Sequence, residues 1–219
     1  MLRASLTLFP ANHRAWNVVK GMASAKELSV QQKTEWAGAL QSMCGDKYPD
    51  FTLAVLTPMV ASIDDVAVQG NVWETLYKKL RANRPDLAAQ VLIEQGKMWD
   101  KAGKPDKAYE SYTAAGYQFI TKSPASVEAL ELCEAMLKTR GAPGESVNLW
   151  ANAWRRLSKP GSMAQEFLTQ SNWYKVGSRY ARLLETSGQD KKAEQIWRAL
   201  GEDEKSVQRR DRQRDKQAH

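Results

Sequence analysis

Lys175, Arg179 and Arg182 follow one another at i, i+4 and i+7. On a helix this spacing places three cationic side chains along one face, opposite the apolar series Trp173, Val176, Tyr180 and Leu184. Ammonium and guanidinium groups presented together hold carboxylates and phosphates, so the chemistry on offer is recognition of an acidic partner. The competing expectation is a solvated face whose cations pair with neighbouring acids; Glu185 intrudes on the same stretch. Trp154 is a second candidate. It lies to one side of the Trp150, Ala153, Leu157 stripe and beside Arg155 and Arg156, so it is expected to face either the following helix or solvent, as an exposed aromatic.

Catalytic chemistry has little to draw on. His13 falls in a turn and His219 ends a polar tail, so neither has the oriented setting a general base needs. No GxSxG, HExxH, GxGxxG or GxxxxGK[ST] motif occurs. Cys44 and Cys133 have no paired spacing for zinc or a disulfide framework, and Cys133 reads as a small buried hydrophobe among Leu130, Leu132, Met136 and Leu137. Asp64-Asp65 and Glu202-Asp203-Glu204 read as charge at helix N-termini. The expectation is a chain that is not an enzyme, with no cofactor and no metal.

The net charge of +7 invites a nucleic-acid partner, and its distribution weakens that reading. Residues 205–219 hold six basic side chains against Asp211 and Asp215, so most of the excess sits in the tail. Nucleic-acid association through this tail is a weaker alternative, with no interleaved aromatics for base stacking. No run approaches the roughly 18 apolar residues of a membrane span, and Pro10, Asn12, His13 and Arg14 interrupt any signal-peptide core. No membrane partner is expected, and cytoplasmic placement is favoured.

The elements that must position these residues all read as helices. Period-two β-branched runs bounded by turns are missing. Ser29-Val-Gln-Gln32 is a capping box opening a helix through Trp36, Leu40 and Met43. A second helix starts at Pro49-Asp50, with Pro58 expected to kink or end it, and a third carries Val68, Val72, Leu76 and Leu80. Beyond Pro85 the pattern becomes regular: helices over 86–102 and 105–121, 124–139 and 144–157, a short bridging helix near 163–169, then 172–186 and 190–200. The eight tryptophans spread across the helices rather than converging, which suits interhelical core for most of them. Gly103, Gly141 and Gly188 each precede by five residues a small side chain (Ala108, Ser146, Ala193), then an aromatic four further on (Tyr112, Trp150, Trp197), then Ala115, Ala153 or Leu200.

Gly96, Trp99, Gly103, Ala108, Tyr112 and Ala115 resemble the signature of the tetratricopeptide (TPR) repeat family. Leu92 and Gln95 depart from it, and the turn glycines stand 38 and 47 residues apart where the family repeats at about 34. The segment from Pro10 to Trp16 resembles a junction between two such repeats, implying that the chain continues a longer protein. The resemblance implies an all-α fold, a right-handed α-α superhelix or solenoid of helical hairpins, over residues 1–201, irregular at 22–85 and more regular at 86–201, with a polar basic tail at 202–219. It further implies a non-enzymatic protein-interaction scaffold whose groove binds a protein or peptide segment, with Lys175, Arg179 and Arg182 lining it. The alternative is an accessory repeat domain of a larger enzyme whose catalytic part lies upstream.

Overall fold

The structure is a computed structural model that describes residues 14, 17, 18, 21, 28–43, 49–157 and 166–201. The repeat-like junction near Pro10, both histidines, Cys44 and the tail at 202–219 lie outside the described residues. Among the described residues there are nine helices and no strand: α1 (Val30–Met43), α2 (Pro49–Ala61), α3 (Val66–Leu80), α4 (Pro85–Lys101), α5 (Pro105–Gln118), α6 (Ala125–Thr139), α7 (Glu145–Arg156), α8 (Glu166–Thr186) and α9 (Asp190–Ala199). The chain divides into two compact units, residues 1–119 and 120–219.

The first unit contains α1 to α5. Its capping box forms as the sequence dictates: Ser29 Oγ accepts from the Gln32 amide and Gln32 Oε1 accepts from the Ser29 amide. Asp65 caps α3 by accepting from the amides of Ala67 and Val68, the helix-start role expected of this acidic pair. Pro58 falls inside α2, and the helix closes three residues later. Leu40, Leu56, Met59, Leu76 and Leu80 are fully buried between these helices. Lysines from neighbouring helices satisfy the carbonyls that helix ends leave over: Lys79 donates to Gln41 O and Ser42 O, and Lys33 donates to Ser62 O.

The hairpins α4–α5, α6–α7 and α8–α9 share one turn. Gly103, Gly141 and Gly188 have φ of +68°, +74° and +73°, the left-handed conformation that ends a helix without a Cβ clash. In each, the residue after the glycine donates its amide back to the carbonyl five residues earlier: Lys104 to Trp99, Ala142 to Leu137, Gln189 to Leu184. The small and aromatic residues of the second helices are then buried: Ala108 and Tyr112, Ser146 and Trp150, Ala193 and Trp197. At Gly96 the approach is closest, because a Cβ there would stand 2.3 Å from the Tyr112 ring.

One element differs from the sequence expectation. Residues 166–186 form a single helix of 21 residues instead of a short helix and a new start at Asn172. Asn172 reads as a helix cap by type, yet it is fully buried within α8 and its amide donates to the carbonyls of Ile120 and Ser123, 2.8 Å each. Those bonds tie α8 to the segment that leads into α6, a long-range demand that sequence periodicity does not carry.

Candidate functional site

Within the second unit, α6 and α8 form the walls of a cleft of about 570 Å³, with Trp150 of α7 and Trp197 of α9 in its lining. From α6 come Glu131, Glu134 and Lys138 at i, i+3 and i+7; from α8 come Lys175, Ser178 and Arg182 at the same spacing, with Arg179 alongside. Four basic and two acidic side chains therefore line the cleft, an excess of two positive charges. Tyr174 adds a half-exposed ring at one side.

The three cations picked out by spacing all reach the cleft, but they are not equivalent. Arg179 donates through Nε and Nη2 to the two oxygens of Glu134, the Nε bond being 2.9 Å. Glu134 also accepts from Trp150 Nε1 at 2.8 Å and pairs with Lys138 Nζ at 2.7 Å. Its side chain is only 4% exposed. Burial pushes the carboxyl up, and hydrogen bonds from Arg179, Lys138 and Trp150 outweigh it, so the group is held at about 2 against an ordinary 4.5. Donating these hydrogen bonds to Glu134 raises the Arg179 guanidinium above its usual value in turn. Lys175 and Arg182, exposed on either side of Arg179, have no ion-pair partner among the described residues.

Glu134 is the residue that spacing on α8 does not reveal. It stands seven residues before Gly141, the position held by Gly96 before Gly103 and by Ala181 before Gly188. In the first hairpin the aromatic lies on bare backbone at that position; in the second, Trp150 meets a carboxylate instead. An acid where the other hairpins have a small residue, opposite a tryptophan, is the signal that finds it.

Trp154 takes the first of its two expected placements. It is half-buried and stacks on Trp173 of the following helix, ring centroids 5.1 Å apart at 29°. A Cβ on Gly177 would come within 2.6 Å of the Trp154 ring, so that glycine admits the indole. Glu185, the acid that interrupts the basic stripe in sequence, is turned to Trp197, whose Nε1 donates to it at 2.7 Å.

A smaller cleft of about 340 Å³ in the first unit lies among α2, α3 and α4, with Trp73 in its lining and Asp64 and Glu94 balanced by Lys97 and Lys101. Among the described residues no three histidine, cysteine or carboxylate side chains cluster as a metal site requires, and no helix is long and apolar enough to cross a membrane. Comparison with protein-family models, curated proteins and solved structures finds no match to this chain.

Proposed function

We propose that the chain is a non-enzymatic interaction scaffold, a TPR-like solenoid of helical hairpins, whose α6–α8 cleft binds an acidic segment of a partner protein. The observation that carries this reading is the pairing of a fixed cation with two unengaged ones. Glu134 holds Arg179 rigidly in the cleft, while Lys175 and Arg182 stand one turn to either side, exposed and without a partner among the described residues. A wall set in place before the partner arrives leaves only the partner's segment to be ordered, which keeps the cost of association down. The repeated glycine turns and the buried small-aromatic stripes of α5, α7 and α9 support the TPR-like reading of the architecture. The accessory-domain and nucleic-acid readings rest on residues outside the described ones.

The test is fluorescence polarisation with a labelled hexaglutamate peptide. Lys175→Glu with Arg182→Glu is expected to weaken binding at least tenfold, about 1.4 kcal/mol or more. Both side chains are exposed, so the fold tolerates the reversal. Unchanged affinity would return the stripe to an ordinary solvated face. Arg179 is unsuitable for the same experiment, because its replacement strands the buried Glu134.

A further inference from the structure

Ser178 lies on the α8 wall of the cleft. Lys175, Ser178 and Arg182 lie along one line of α8, and the serine hydroxyl oxygen is buried without a hydrogen-bond partner among the described residues. A hydroxyl closed off without a partner forgoes the hydrogen bond it would make to water, so an acceptor that reaches it as the exposed Lys175 and Arg182 side chains swing aside gains one. Two long cationic side chains flank it, one turn before and one turn after, and line the same cleft. Arg179 lines the cleft too, held in position by its bonds to Glu134 through Nε and Nη2, with its Nη1 uncommitted among the described residues.

Charge decides what fits. Arg179, Lys138, Glu134 and Glu131 sum to neutrality within the cleft, and Lys175 with Arg182 leave two positive charges. A carboxylate would neutralise one of them. A phosphoryl group carries close to two negative charges at neutral pH and three acceptor oxygens, enough for a lysine, an arginine and a hydroxyl at once. From these observations we propose that the cleft is a phosphoryl-binding site centred on Ser178, and that its occupant is a phosphorylated peptide segment. This deepens the reading of the cleft given above and rests on it.

The opposing wall argues for a peptide over a nucleic acid. Glu128 and Glu131 lie at i, i+3 on α6, both exposed, and Glu131 faces the cleft. One phosphoryl group over α8 escapes them, whereas a strand of successive phosphates must pass them at a cost. A segment with a basic residue next to its phosphoresidue gains from Glu131 instead.

Three labelled decapeptides of glycine, alanine and one lysine, identical except for phosphoserine, glutamate or serine at the centre, test the proposal against the full chain. The phosphoserine peptide is expected to bind about tenfold more tightly than its glutamate twin, since it brings a second charge and a third oxygen. K175Q with R182Q is expected to abolish that advantage, and Ser178→Ala to weaken the phosphopeptide about fivefold, with circular dichroism showing an intact fold in each. Equal binding of the phosphoserine and glutamate peptides, with both lost in the double variant, overturns the phosphoryl assignment and leaves the acidic-segment cleft standing. Failure of these peptides and of hexaglutamate alike removes both. An unchanged affinity in Ser178→Ala denies the site its centre and overturns it. Phenyl phosphate competing as well as the phosphopeptide, or a ten-nucleotide single strand binding more tightly and losing affinity in the same variants, overturns the peptide as occupant.

Discussion

Glu134 shows how one side chain sets the character of a site. It is buried, ionised, and bound at once by an arginine, a lysine and an indole. Its carboxyl stands at about 2 in the folded protein against 4.5 ordinarily. Between those values the unfolded chain binds more protons than the folded one, so stability from this group is fully present above pH 4.5 and is lost as pH falls through about 2. The displacement corresponds to roughly 3 kcal/mol at about 1.36 kcal/mol per unit, discounted to about 2 because Arg179 and Lys138 remain partly in water. Glu134→Gln is therefore expected to lower stability by about 2 kcal/mol at pH 7 in urea unfolding, and to lose that difference from the native protein as the pH is taken from 4.5 to 2. A constant difference across that range would show that the carboxylate charge is not what the site uses. Lys175, Arg179 and Arg182 are legible from sequence because helical periodicity is local. Their inequality is not, since it depends on an acid 45 residues away that only folding brings to Arg179.

At the scale of elements the hairpins are well written in the chain. The capping box at Ser29, the prolines opening α4 and α5, and the turn glycines act through neighbours in sequence, and each forms as its residues dictate. The continuity of α8 is not written locally. Ser171-Asn172 has the chemistry of a helix start, and the distant carbonyls of Ile120 and Ser123 claim the asparagine instead. Two helical glycines separate local propensity from packing. Gly38 lies on the exposed face of α1 with nothing within 4 Å of a would-be Cβ, whereas at Gly96 that atom would meet the Tyr112 ring at 2.3 Å. Gly38→Ala should stabilise by about 0.5–1 kcal/mol through helix propensity alone. Gly96→Ala gains the same propensity and loses more by driving α4 off α5, for a net loss of about 1–2 kcal/mol. Thermal unfolding of the two variants checks the opposite signs; a stabilised Gly96→Ala would mean that the hairpin closes less tightly than the Tyr112 contact requires.

For the whole molecule, the division into residues 1–119 and 120–219 has an energetic meaning, because each unit buries its own large side chains. Leu40, Leu56, Met59 and Leu76 fill the first; Leu130, Trp150 and Leu184 fill the second. Gly96 meets Tyr112 and Glu134 meets Trp150, Lys138 and Arg179, so each contact network closes within one unit. Substitutions that share no partner add, within about 0.5 kcal/mol. The variant with Gly96→Ala and Glu134→Gln together is accordingly expected to lose the sum of the two single effects. Hydrogen exchange read by mass spectrometry locates the losses: Gly96→Ala should speed exchange in α4 and α5 and leave α6 to α9 as they were, and Glu134→Gln should do the reverse. Exchange that rises across both units in either single variant would mean that they open together, and the α6–α8 cleft would then depend on the first unit for its stability as well as on its own four helices.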